Sequence, residues 1–158
     1  MAADGQMVLR CTAMPITYPL PFRLKVPGED TLDLRGARSV SYRLDGLLHV
    51  AADLLTFEWA ATRRTQRVSI TGVKDEVDDS PVGTVEVPRS SIVRAQLRGG
   101  WWAPRLQLWA RRIDAFDGIP GARPGMLTLR IHRRDRAHAH ALAEAIAHAG
   151  AEADLTQD

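Results

Sequence analysis

The chain has 158 residues, 45% hydrophobic and 25% charged, a balance that fits one globular domain and excludes disorder over most of its length. Its formal net charge of +2 supplies little general attraction for a polyanion, so nucleic acid is not an expected partner. A single cysteine, Cys11, excludes an intrachain disulfide and a cysteine-rich zinc site, and no apolar run approaches the roughly 20 residues of a membrane-crossing helix.

Residues 1–35 differ in character from the rest. Pro15, Pro19, Pro21 and Pro27 interrupt any helix, so the segment reads as an extended arm in which Met7–Cys11 and Phe22–Val26 form short edge strands. Such an arm either packs on its own domain or pairs with a neighbouring subunit's sheet edge. No basic region followed by an apolar one opens the chain, so a secretory signal is not expected and the cytoplasm is the default location.

From Arg38 the period-two pattern is clean. Val40, Tyr42, Leu44, Leu48 and Val50 share one parity straight through Gly46, which predicts a single long strand bent at the glycine rather than a hairpin at Asp45-Gly46. The first turn falls near Ala52-Asp53, and Leu55, Phe57 and Trp59 alternate into a second strand. Arg63, Arg64 and Arg67 then read as a polar connection, Val68 and Ile70 as a short strand, and Lys74–Ser80, with four acidic residues, as an exposed loop. Val85 and Val87 predict another strand ended by Pro88, with Ser90 and Ser91 as turn or capping hydroxyls. Val93, Ala95 and Leu97 alternate with Arg94, Gln96 and Arg98, Gly99-Gly100 supplies a tight reversal, and Leu106, Leu108 and Ala110 return. The segment Ile113–Gly125 is an irregular, partly buried connection through Phe116 and Ile119.

Leu127, Leu129 and Ile131 form the last strand, with Thr128, Arg130 and His132 facing the other way. A helix follows, with Asp135 as N-cap and Gly150 as its left-handed C′ residue. Ala139, Leu142, Ala145, Ile146 and Ala149 make a narrow apolar arc that must lie on a curled antiparallel sheet. The domain so defined spans residues 36–150, and residues 151–158 are expected to be a disordered tail.

Gly46-Leu47-Leu48, Leu55–Glu58, Val87-Pro88, Arg98-Gly99-Gly100-Trp101-Trp102 and Asp135-Arg136, in this order of elements, resemble the pleckstrin-homology-like superfold, in particular uncharacterised bacterial proteins of that kind. The resemblance covers roughly Arg38 to Ala149. It implies a mainly β fold: a seven-stranded barrel of two near-orthogonal antiparallel sheets, capped by the C-terminal α-helix. It implies no particular activity, because this superfold hosts lipid, phosphopeptide, peptide and protein binders alike. Members that bind phosphoinositides carry basic residues between the first two strands, where this chain has Ala51-Ala52-Asp53, so that specific mode is not expected.

One surface stands out. Arg94 and Arg98 leave the outward face of one strand, Arg105 and Arg111 that of its hairpin partner, with Gln107 and Trp109 between them. Alternation places Trp101 on this outward side and Trp102 inward. Trp101, Trp109, Arg94, Arg98, Arg105 and Arg111 thus form the candidate partner-binding face, for a protein partner, a second copy of the chain, or an anionic ligand or membrane surface. The alternative is a solvated face whose arginines answer Glu58, Glu86 and the acidic loop.

His140, Glu144 and His148 follow one another at i, i+4 and i+8, close enough for two to share a metal ion, although an alanine-rich helix with a polar outer face produces such a triplet without one. No nucleophile with its base, paired carboxylates in apolar surroundings, or glycine-rich phosphate loop is recognisable, so the sequence predicts a non-enzymatic binding or self-assembling module without a cofactor, the alternative being an enzyme whose site is built from residues distant in sequence.

Overall fold

A computed structural model of the chain describes residues 18–33 and 36–155. The expectations for Met7–Cys11 and for the side chains of His148 and Ala149 lie outside the described residues. Nine strands and one long helix form: β1 (Leu20–Lys25), β2 (Glu29–Asp33), β3 (Gly36–Val50), β4 (Leu54–Ser69), β5 (Gly72–Asp79), β6 (Gly83–Pro88), β7 (Ile92–Arg98), β8 (Arg105–Ala110), β9 (Met126–Ile131) and α1 (Arg136–Leu155). The sheet is antiparallel and open, in the order β5-β4-β3-β1-β9-β8-β7, with β2 also paired to β3 and β6 to β4. Among the described residues nine strands are present, where seven were expected.

β3 passes through Gly46 without a break, as its unbroken parity requires. A Cβ at this position would lie 2.4 Å from the Glu58 carbonyl oxygen and 2.5 Å from the Phe22 ring, so only glycine lets β1 and β4 close on β3 here. The Phe22 ring meets Phe57 edge-on at 6.3 Å, and Phe57 meets Phe116 at 6.4 Å. Around this aromatic line Leu20, Leu48, Leu55, Val87, Leu106, Leu108, Leu127 and Leu129 are fully buried, each stabilising the fold by roughly 1.5–3 kcal/mol.

Residues 20–25, expected as part of an arm with an edge strand, are instead the central strand. β1 pairs with β3 along six residues and with β9 at Phe22 and Arg23, so it joins the two halves of the sheet. Its prolines permit this because Pro19 and Pro21 sit before it and at its start.

The expected polar connection and acidic loop are strands as well. Arg63, Arg64 and Arg67 continue β4, Val68 belongs to the same strand, and Ile70 stands in the turn. β5 pairs with the far half of β4 from Thr62 with Asp79 to Ser69 with Gly72, while β6 pairs with the near half. With β2 they make a ribbon, most of whose side chains are exposed. Its strands are held by the backbone ladder and by opposed charges such as Arg64 with Asp75, rather than by burial.

Beyond β9 the chain tightens into a 3-10 turn at Arg133–Asp135, capped by His132 Nδ1, which accepts from the Arg134 amide at 3.3 Å. Asp135 is thus the end of that turn, and α1 runs past Gly150 to Leu155, so residues 151–155 are helical. Its buried stripe is Ala139, Leu142, Ala143 and Ile146, the i, i+3, i+4, i+7 pattern of one helical face, whereas Ala145 is exposed. The helix packs against β7 and the 3-10 turn Arg89–Ser91, from which Arg89 donates to the Ala145 carbonyl.

Candidate functional site

Charge in this molecule is sorted by strand. β1, β7, β8 and β9 carry Arg23, Lys25, Arg94, Arg98, Arg105 and Arg130 and no carboxylate. Acidic residues gather on β2 (Glu29, Asp30, Asp33) and β5 (Asp75, Glu76, Asp78, Asp79). Among the described residues no ion pair joins a carboxylate of β2 or β5 to Arg94, Arg98, Arg105 or Arg130. β3 and β4 carry Arg38, Arg43, Arg63, Arg64 and Arg67 beside those carboxylates, so the net charge of +2 combines a purely basic group of strands with a mixed one.

Antiparallel register turns the basic half into rows. Asp45 of β3, Arg23 of β1, Arg130 of β9, Arg105 of β8 and Arg98 of β7 follow one another as directly opposed pairs. The next row on the same face is Thr128, Gln107 and Gln96, and the third is Met126, Trp109 and Arg94. The opposite face carries Leu129, Leu106 and Leu97, then Leu127, Leu108 and Ala95, which is why the charged side chains are forced outward.

At the β3 end the row is neutralised: Asp45 accepts from Arg23 at 2.6 Å and from Arg43 at 2.8 Å. Among the described residues no carboxylate pairs with Arg105 or Arg130. Arg98 and Arg94 both donate to the Gln96 side-chain oxygen, at 3.1 and 2.9 Å, and Arg94 lies over the Trp109 ring at 5.0 Å from its centroid.

The row opens into a cleft of about 770 Å³ between the β7–β8 connection, the meeting of β1 with β9, and the turn before α1. Arg23, Arg105, Arg130, Arg133 and Arg134 line it with Trp102 and His132, against two carboxylates, Asp45 and Asp135. Asp45 is already shared by two arginines, and Asp135 lies 3.5 Å from Arg134 Nε. The lining thus carries more guanidinium groups than carboxylates, an excess that favours an anion.

The expected candidate residues are brought together in part. Arg94, Arg98, Arg105 and Trp109 share the outward face as anticipated. Arg111 lies just past β8, with its amide donating to the Ser91 carbonyl. The expected tight reversal is a six-residue connection, 99–104, in which Gly99 takes φ +87°. That length breaks the strand alternation, so Trp102 is not inward: Trp101 and Trp102 are 64% and 78% exposed and meet edge-to-face at 6.2 Å. Arg133 sits over the Trp102 ring at 5.7 Å. A register shift between Ile92 and Arg94 likewise buries Ile92 and leaves Val93 exposed.

Arg23, Arg130, Arg133 and Arg134 were not singled out by the sequence, because their place beside Arg105 depends on β9 lying between β1 and β8. On the helix, His140 Nδ1 lies 3.5 Å from Glu144, and among the described residues no group of three or more histidine, cysteine or acidic side chains converges. Carboxylates with lowered pKa values lie elsewhere, in exposed pairs: Asp75 bonded by Arg64, Glu76 by Lys74 and Asp114 by Arg112. Among the described residues no helix is long and apolar enough to cross a membrane. No protein-family model, curated protein or solved structure matches the chain.

Proposed function

We propose that this protein is a non-enzymatic binding module of pleckstrin-homology-like type that docks a negatively charged partner on the outer face of β1, β9, β8 and β7. The observation that carries the reading is the row Arg23, Arg130, Arg105 and Arg98, in which the two central members have no carboxylate partner among the described residues. Aligned guanidinium groups favour bidentate contacts to carboxylate or phosphate, and exposed tryptophan beside arginine is the composition of energetically dominant interface residues. The superfold reading is supported by the seven strands left when the ribbon strands β2 and β5 are set aside, and by a C-terminal helix packed on the last-ranked strand β7. A barrel of two near-orthogonal sheets is the arrangement this reading entails.

Self-association is the second reading, favoured by the acidic ribbon at the opposite end of the sheet, which offers a second copy a complement to the arginine row. The test is binding of a fluorescent heparin fragment and of a poly-glutamate peptide to the full chain at low and high salt. Affinity that falls with salt and is lost in the double variant Arg105→Glu, Arg130→Glu supports the proposal; unchanged affinity in that variant refutes it. Light scattering on the same samples separates a mixed complex from a salt-sensitive homo-oligomer.

A further inference from the structure

We infer that the anion this face accepts is a single-stranded nucleic acid, an inference that rests on the reading of the arginine row as the working surface. Three adjoining features fit the three chemical parts of such a strand. Arg105 and Arg130, directly opposed and without carboxylate partners among the described residues, supply bidentate donors for successive phosphates. In the adjacent row the Gln107 and Thr128 side chains and the Gln96 amide nitrogen, whose oxygen already accepts from Arg94 and Arg98, supply uncharged groups of the kind that read base edges. Trp102, largely exposed and lining the cleft, supplies a flat ring, with Arg133 over it, against which a base can stack.

Other occupants use less of this surface. An acidic peptide matches the arginines but has no planar group repeating beside each charge for the tryptophan. An anionic membrane would take the two loop tryptophans and the arginines near them, leaving the glutamine and threonine row without a partner. A duplex buries its base edges in grooves that an open sheet face does not enter, whereas a single strand can lie across strands with its bases splayed.

The experiment is fluorescence anisotropy of the full chain with labelled oligo(U) and oligo(dT) of about 12 nucleotides, the length one binding face commonly covers. A duplex of equal length, a heparin fragment and anionic phospholipid vesicles serve as comparisons. Either single strand should bind more tightly than duplex, and affinity should fall steeply between about 50 and 200 mM salt. Trp102→Ala, an exposed substitution, should weaken single-strand binding roughly tenfold and heparin binding, which offers no base to stack, by clearly less. Equal binding of duplex and single strand, binding to vesicles alone, or a Trp102→Ala variant indistinguishable from the parent would each overturn the inference. If heparin still binds and Arg105→Glu with Arg130→Glu abolishes it, the anion-binding reading survives that failure; if the double variant loses nothing, both fall.

Discussion

Arg105 and Arg130 stand directly opposite one another on β8 and β9, so two like-charged side chains leave the same face with their Cα atoms about 5 Å apart. Like charges in this relationship destabilise a sheet by up to about 1 kcal/mol. The pair is consequently a place where stability and binding oppose each other. Arg130→Thr is expected to raise stability by a few tenths to about 1 kcal/mol in urea denaturation while weakening polyanion binding. A variant that loses both stability and binding would show that Arg130 serves packing instead.

At Gly46 the backbone of β3 lies in close contact with β1 and β4. Gly46→Ala would drive a methyl group into the Phe22 ring and the Glu58 carbonyl, and a loss of about 1–3 kcal/mol is expected from overpacking. Guanidinium denaturation followed by tryptophan fluorescence measures it. Stability equal to the parent would mean that β1 can move away from β3 at no cost.

Arg89 ties three elements together. Its amide donates to the Asp53 carbonyl at 2.8 Å, and its guanidinium donates to Ala145 of α1 and, at 3.4 Å, to Ala52. Arg89→Ala removes a charge-assisted bond and should cost about 1.5–3 kcal/mol. Amide hydrogen exchange should show the loss first in α1, since the strands keep their own ladders.

How much of this was legible in the sequence follows from which residues have a dry side. Val40, Leu44 and Leu48 on β3, Leu55 and Phe57 on β4, and Leu127, Leu129 and Ile131 on β9 each face the core, so burial writes a period of two into the chain and the strands can be read. β5 has both faces wet: Val73 and Val77 on one face are 63% and 62% exposed, Lys74 and Asp78 on the other are exposed as well, and no alternation marks it. Its contacts with β4, such as Arg63 opposite Asp78 and Arg64 bonded to Asp75, appear only once the register is known. The same holds for the candidate site. Arg94, Arg98, Arg105 and Trp109 were visible because one hairpin holds them, whereas Arg23 and Arg130 join them across a pairing of β1 with β9 that spans the whole chain. Trp102 was misplaced because alternation was carried through a six-residue connection that is not strand.

Acid should loosen the ribbon before the core. Hydrogen bonds from Arg64 and Lys74 hold Asp75 and Glu76 below their ordinary values. A carboxylate whose pKa is lowered on folding adds stability that is present above the unfolded value of about 4 and lost as pH falls through the lower folded value. β5 amide protection is therefore expected to fall as pH is taken below about 4, and Asp75→Asn should remove part of that dependence. Both groups are exposed, so the effect is small. A β5 protection profile unchanged by acid would show that the backbone ladder alone holds the strand.

The central claim is that the β1, β9, β8 and β7 face is the working surface, and an amide-exchange footprint with a bound polyanion tests it most directly. Protection confined to β1, β7, β8 and β9 and to the 99–104 connection, disappearing at high salt, is the expected result. Protection on β2 and β5, or none at a concentration where anisotropy reports binding, would contradict it.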